Sequence, residues 1–547
     1  MTSHVRSPGS DADGAAITPS ASARILSNFA RFKAEVDLAA NAYAKGEFEM
    51  AAFYAATAST IATHTHCGIF SSPRLEAILN AIGRQIAPGD NTEKRSRTGA
   101  FRKVLHVGSE LSSVGGLTRM ISRWIDADSD RTSSLVLTQH RGEVPAHLTE
   151  AIERSGGELH RLNRSIGSRF DWVRTLRRIG SSHDVIILHI HCEDVIPVLA
   201  FADESGLPPV LFLNHADHLF WLGTSVADLV LNLRDAATDI SIARRGVEVD
   251  RNFLLPTIVA PTTRLQSRTE AKAALGLRQD SVLLLSVARG PKYRSIDGMS
   301  FADRHVKLLE KCPQAQLVVV GSGEPDDWKA AKARVDGRIT GLSEVPDPKR
   351  YFEAADIYVD SYPFVSSTSM MEAAGYGLPA VTIFTLPDAA RIFGINHVGL
   401  VGTSLVARTA DAYSTMLERL VVDEAFRAET GEATREAIER LHVPPGWCAS
   451  LEAALERVRS LPPRANRAVA TNGIVESPYL GSPDDIHQDI VGAAPNLPEI
   501  KMIYMGALPL RQRIAQLSRM RRDGEVAGPA AMLRLLLPEW LKRTVKP

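Results

Sequence analysis

Four small hydroxyl residues, Ser366, Ser367, Thr368 and Ser369, open a helical run that continues through Met370, Met371 and Glu372 and stops at Gly375-Tyr376-Gly377-Leu378-Pro379. A helix N-terminus presents unpaired backbone N–H groups and a partial positive charge, which suits a diphosphate. Short side chains let a phosphate approach that backbone, and their hydroxyls add hydrogen bonds. Glu372 lies one turn further on, placed to accept hydrogen bonds from sugar hydroxyls. An ordinary Ser/Thr N-cap would look the same in isolation, so the neighbouring motifs must decide.

Val287-Ala288-Arg289-Gly290-Pro291-Lys292-Tyr293 follows an apolar strand, which puts Arg289 and Lys292 at its carboxyl end. Two cations there would neutralise a departing diphosphate. Val318-Val319-Val320-Gly321-Ser322-Gly323-Glu324 is a strand ending in a tight turn, and Gly341-Leu342 closes another, where backbone groups could read a nucleobase. Earlier in the chain, Val107-Gly108-Ser109-Glu110 ends a strand, and Gly115-Gly116 precedes a helix. Paired glycines allow close backbone approach to a ligand. Neither a G-x-G-x-x-G dinucleotide fingerprint nor a G-x-x-x-x-G-K-[ST] phosphate loop is present.

Histidines supply the acid–base candidates. Leu188-His189-Ile190-His191-Cys192 ends a strand, where His191 is a candidate substrate contact; a zinc site is not indicated, because one short cluster lacks spaced partners. Asn214-His215-Ala216-Asp217-His218-Leu219-Phe220-Trp221 follows the next strand. His215 is the candidate base, with Asp217 placed to orient or replace it. Asp-x-Asp occurs at Asp11–Asp13 and across Asp126–Asp130, one in a polar tail and one in a polar loop. Neither falls beside the phosphate-binding motifs, so a metal-free site is expected.

The elements that must position these groups follow a strand–helix rhythm. Apolar strands are predicted at 104–107, 135–138, 185–190, 210–213, 229–233 and 253–255, then at 282–288, 316–320, 357–360 and 380–383. Continuous apolar strands alternating with helices mean parallel sheets covered on both faces. Two such series, joined near Pro256–Ser267, imply two Rossmann-like domains, 101–260 and 261–460, facing each other across a cleft. Ligands then bind beyond the carboxyl ends of the strands.

Around this frame, residues 1–21 are polar and expected to be disordered, 22–90 form a helical extension, and 91–100 are a linker. Within the extension, residues 42–55 resemble one tetratricopeptide-type helix pair, too little for an array. Residues 461–547 form a C-terminal extension. Its last part, 501–547, holds ten Lys/Arg against three Asp/Glu, and Leu533, Leu536, Leu537, Trp540 and Leu541 make an apolar face. That face either packs on the main body or lies on an anionic membrane surface.

The 547 residues carry 63 basic and 63 acidic side chains, so the chain as a whole has no nucleic-acid signature. Cys67, Cys192, Cys312 and Cys448 are far apart, which argues against a disulfide framework. No signal peptide or membrane-spanning run is read at this stage, and a cytoplasmic protein, soluble or peripheral, is expected.

Taken in order, the Gly-Gly loop, strand–Arg–Lys, Gly-Ser-Gly-Glu, Gly-Leu, Tyr351-Phe352-x-Ala-Ala355-Asp356 and the 366–381 stretch resemble a GT-B glycosyltransferase. The similarity covers about residues 101–460 and is greatest to the large retaining group that uses nucleotide-activated sugars. The resemblance implies that Arg289 and Lys292 contact the donor diphosphate and that Ser367, Thr368 and Ser369 bind phosphate or sugar. It further implies that Glu372 contacts the ribose and that Gly115 and Gly116 line the donor–acceptor junction. The sequence departs from the group at one point. Of its Glu-x7-Glu motif only Glu372 is present, and Phe364 stands where the first acid belongs.

The expectation is therefore a glycosyltransferase without a cofactor, taking a nucleoside diphosphate sugar as donor and a glycan, lipid-linked or protein hydroxyl as acceptor. A nucleotide-sugar epimerase of the same fold, or a non-catalytic nucleotide-sugar-binding scaffold, are the alternatives.

Overall fold

The computed structural model describes residues 20–89, 99–112, 115–394, 396–464, 476–492, 496–526 and 528–542. The expected disorder of residues 1–21 therefore falls almost wholly outside the described residues, as do most of the linker and the Asp11–Asp13 pair.

The first domain is a seven-stranded sheet: β1 (Lys103–Gly108), β2 (Thr132–Leu137), β3 (Leu159–Arg161), β4 (Val185–His189), β5 (Val210–Asn214), β6 (Leu229–Asn232) and β7 (Asn252–Leu254). Its spatial order is β3-β2-β1-β4-β5-β6-β7, with every pair parallel. The second domain holds six strands: β8 (Val282–Val287), β9 (Ala315–Val320), β10 (Ile339–Leu342), β11 (Ile357–Val359), β12 (Ala380–Ile383) and β13 (Leu405–Ala407). Their order is β10-β9-β8-β11-β12-β13, again all parallel. Strands such as Val-Ile-Ile-Leu-His and Val-Leu-Phe-Leu-Asn are buried along their whole length, because helices cover both faces of the sheet. In each sheet the order reverses next to its first strand, between β1 and β4 and between β8 and β11. A doubly wound sheet opens its crevice at that switch point. The two crevices face each other.

The N-terminal helices α1 (Ala21–Ala44), α2 (Phe48–His64) and α3 (Pro73–Ile86) form a layer outside the first sheet. α2 is almost entirely buried, because its Ala-rich surface allows close approach on every side. Glu76, 2% exposed, joins this layer to the first domain. Its carboxylate accepts from the amides of Gly223, Thr224 and Ser225 and from the Thr224 hydroxyl, at 2.7–3.1 Å. The expected single helix pair is present as the α1–α2 hairpin.

One expectation about the C-terminal part is corrected. Helix 446–460 was assigned to the second domain, yet its Trp447, Leu451, Leu455 and Val458 pack with Val104, Trp124, Val185 and Leu211 of the first. The chain thus crosses back, because the apolar face of this helix completes the cover of the first sheet. Of the two alternatives for the extension beyond Leu461, its described part follows the first and packs on the body, in the N-terminal layer. Ile500, Tyr504, Met505, Leu517, Met520 and Leu535 share one core with α1, α2 and β4. Leu536 packs against that core, while Leu533 stays exposed. Pro538 separates the last two helical pieces, Pro529–Leu536 and Glu539–Lys542. Of the apolar face, Leu536 is thus spent on the protein body, and Leu537, Trp540 and Leu541 are half-buried. Among the described residues, no helix is long and apolar enough to cross a membrane.

Candidate active site

A cleft of about 550 Å³ runs between the two domains at the carboxyl ends of their strands. Its donor-side wall starts at the Ser367–Gly375 helix, which has no side-chain cap at its N-terminus. The first amides of the helix are left to face the cleft. Asp360, just past β11, fixes this turn by accepting from the Ser361 and Ser366 amides, both at 2.8 Å. Burial raises its carboxyl pKa to about 6, against the pull of those hydrogen bonds and of Lys292. Ser366, Ser367, Thr368 and Ser369 all line the cleft.

Arg289 and Lys292 stand opposite, at the end of β8, as expected. Arg289 is half-exposed and reaches over the cleft to Ser112 of the first domain at 3.5 Å. Lys292 is more enclosed. Its Nζ donates to the Val365 carbonyl at 2.6 Å and lies 4.6 Å above the Phe364 ring. Burial depresses its pKa from 10.5 to about 8, only partly offset by the Asp360 carboxylate. It is therefore a cation at neutral pH with little to spare.

The acceptor-side wall comes from the first domain. Gly115 caps helix α4 (Gly116–Ala127), and Gly116 sits against the donor side: a Cβ there would lie 3.0 Å from Thr368 Oγ1. Paired glycines thus allow the two domains to close on each other. One turn into α4, Arg119 places Nη1 3.2 Å from both Glu372 oxygens, and Arg123 donates to Oε1 at 2.6 Å. Glu372 is consequently the centre of a clasp between the domains. A carboxylate offers about four acceptor positions, so a sugar hydroxyl would share it with the two guanidinium groups.

His191 lines the cleft with its ring about one-third exposed, and its amide donates to Ser109 Oγ at 2.9 Å. His215 is anchored through Nε2, which lies 3.0 Å from the Ile190 carbonyl. A carbonyl only accepts, so Nε2 carries the hydrogen and Nδ1 keeps a lone pair. Burial lowers the ring pKa to about 4, leaving it neutral at physiological pH. Asp217 does not serve as its partner. Both carboxylate oxygens are held by Arg234, at 2.9 Å from Nε and 2.6 Å from Nη2. Burial opposes ionisation of Asp217, but the Arg234 charge outweighs it and holds the carboxyl below its ordinary range. The expectation that Asp217 orients or replaces His215 is thus corrected, because its oxygens face Arg234 and, at 3.4 Å, His218 Nδ1, and no hydrogen bond joins it to His215 among the described residues.

Gly341 and Leu342 are not brought into the cleft wall. A Cβ on Gly341 would strike the Gly323 carbonyl, and the Leu342 carbonyl already accepts from the Gly321 and Gly323 amides. Two pairs of residues were missed in the sequence. Arg119 and Arg123 carried a readable signal, since they stand four apart on a helix just after the glycine pair. Arg234 and His397 carried none, being lone residues 163 positions apart that tertiary structure joins by an antiparallel backbone bridge. No group of three His, Cys, Asp or Glu side chains suited to a metal ion occurs among the described residues.

Residues 282–423 match the family model described as glycosyl transferases group 1. The matched residues lie wholly within the second domain. Strand order and cleft agree with the GT-B arrangement of two facing Rossmann-like domains. A D-inositol 3-phosphate glycosyltransferase of Thermobifida fusca (strain YX) is 26% identical over 223 residues, 38% of this chain and 49% of that protein. The chain thus spans about half the length of this relative. Among solved structures, an O-GlcNAc transferase of Thermobaculum terrenum is similar over 80% of this chain and 84% of its own, at 15% identity and TM-score 0.47. HepE of Anabaena, in complex with UDP and glucose, is similar over 66% of this chain and 100% of its own, at 16% identity and TM-score 0.49.

Proposed function

We propose that the protein transfers a sugar from a nucleoside diphosphate sugar to a hydroxyl-bearing acceptor, without a metal. One observation carries this reading. The uncapped Ser367 helix, Arg289 and Lys292 converge on one cleft, and all lie within the residues that match the group 1 glycosyl transferase model. The donor diphosphate would sit on the helix amides, with Lys292 and Arg289 neutralising the charge that grows as the glycosidic bond breaks. Those two cations and the helix end supply the stabilisation that a metal would otherwise give, which is the support for metal independence.

His215 fits the proton-transfer role. It is neutral, its Nδ1 keeps a lone pair, and it stands on the acceptor side of the cleft. In an inverting reaction it would take the acceptor proton. In a retaining one, the leaving phosphate would take that proton and His215 would position the sugar. The acceptor is proposed as a glycan, lipid-linked or protein hydroxyl, reached from the side of the Gly115–Gly116 turn. The site is proposed to work in the cytoplasm.

A thermal-shift screen against UDP, GDP, ADP and their common sugars tests the donor half of the reading. A ligand that binds only the native state raises Tm by mass action. One base should raise it clearly in the parent protein and much less in Lys292→Met at the same ligand concentration. Turnover unchanged by EDTA would agree with the metal-free reading, and loss of turnover that added magnesium restores would refute it.

A further inference from the structure

Phe364 occupies the position of the missing first acid, and its surroundings show what stands in its place. The ring is covered by Lys292 on one side and by His218, edge-on at 4.5 Å between centroids, on another. Two carboxylates of the cleft lining are already engaged by cations, Asp217 by Arg234 and Glu372 by Arg119 and Arg123 of α4. Two polar groups are open instead. His397 is 4% exposed and lines the cleft, yet neither ring nitrogen has a hydrogen-bond partner among the described residues. Arg234, 5% exposed and also lining the cleft, leaves Nη1 without one.

Orphaned buried polar atoms are rare because each costs the desolvation of a group that water would have satisfied. Here several are gathered at one spot. They come from opposite domains, and the Arg234–His397 backbone bridge pins them together across the cleft floor. His397, Arg234 and the lysine assigned to the diphosphate line the same cleft, within which the transferred sugar must begin. Burial keeps the imidazole neutral, so it offers one N–H donor and one lone pair, and Arg234 Nη1 adds a second donor. That set matches a hydroxyl, which donates once and accepts twice.

We infer that His397 and Arg234 grip hydroxyls of the transferred sugar and set sugar preference, in place of the acid absent at Phe364. The inference rests on the proposed donor reading, and a single experiment separates the two. Calorimetric titrations use UDP, GDP and ADP, then the glucose, galactose and N-acetylglucosamine conjugates of the base that binds. The quantity read is the affinity of the best conjugate relative to its parent nucleoside diphosphate.

In His397→Phe this ratio should fall about three- to tenfold, the worth of a hydrogen bond, while the parent nucleoside diphosphate binds within about twofold of its original affinity. His397→Asn, which keeps a donor and an acceptor but ends short of the far ring nitrogen, should show the same selective loss and guards against misfolding of the Phe variant. An unchanged ratio in both variants overturns the inference and leaves the donor reading standing. Equal loss for conjugate and parent nucleoside diphosphate does the same, by making His397 a general support of the cleft. Failure of the original protein to bind any of the three nucleoside diphosphates overturns the donor reading and this inference together.

Discussion

Raising the pH from 7 to 9 should strip the donor site of one of its two cations. Lys292 has its pKa pulled down to about 8 by burial, whereas guanidinium groups as a class do not deprotonate in this range. If the diphosphate binds only the ammonium form, the apparent Kd is multiplied by one plus the ratio of neutral to charged lysine. That factor is about 1.1 at pH 7, about 2 at pH 8 and about 11 at pH 9. Binding should then draw in about 0.1 proton at pH 7 and about 0.9 at pH 9. Calorimetry in two buffers of different ionisation enthalpy reads that uptake directly. Lys292→Met should bind about 10- to 100-fold more weakly at pH 7, the worth of a charge-assisted contact, and lose the pH dependence. Stability moves the other way. The folded pKa lies below the ordinary 10.5, so between about pH 8 and 10.5 the unfolded chain holds the extra proton and this group's contribution to stability rises with pH. Affinity that stays flat from pH 7 to 9, or the same slope in Lys292→Met, would refute the assignment of Lys292 to the diphosphate.

Other perturbations address the remaining parts of the site and its frame. His215→Ala should lower turnover by about 10²- to 10⁴-fold with little change in nucleoside diphosphate affinity, if the ring takes the acceptor proton; a small effect on turnover would remove it from that role. Since burial lowers the His215 pKa to about 4, turnover should show no acid limb near pH 6.5, and a limb there that His215→Ala abolishes would contradict the geometry. Arg123→Ala leaves Glu372 with Arg119 alone and should cost about 1–3 kcal/mol, between the exposed and buried limits for an ion pair. Scattering from the same variant should show a more open pair of domains, and an unchanged curve would mean the clasp does not hold the cleft. Glu76→Ala strands four donors on the 223–225 turn and should destabilise by about 2–4 kcal/mol in denaturant titration; a loss under 1 kcal/mol would mean that water replaces the carboxylate.

The two sheets were legible because a parallel strand buried on both faces is a continuous apolar run, and most of the strands have that character. β3 and β13 were not, since Leu-His-Arg and Leu-Val-Ala are three-residue edge strands whose identity comes only from a neighbour. Helix 446–460 showed its apolar face in sequence but not the sheet that receives it. The same holds for the C-terminal extension, where an amphipathic pattern cannot distinguish a membrane from a protein partner.

In the cleft, the hydroxyl run, Arg289, Lys292 and the glycine pair could be read because they are local motifs tied to strand and helix ends. Side chains matched over long distance could not. Glu372 meets Arg123 across 249 residues, and Asp217 lost its expected role to an Arg234 that no local pattern marks. His397 looked unremarkable until its orphaned nitrogens were placed in the same cleft as Phe364.

The central claim is that the donor diphosphate rests on the Ser367 helix between Lys292 and Arg289. A crystal structure with the nucleoside diphosphate selected by the thermal screen tests it most directly. The account predicts phosphate oxygens within hydrogen-bond distance of the first helix amides and of Lys292 Nζ. A diphosphate held elsewhere, with the Lys292–Val365 contact untouched and the helix end unengaged, would contradict it.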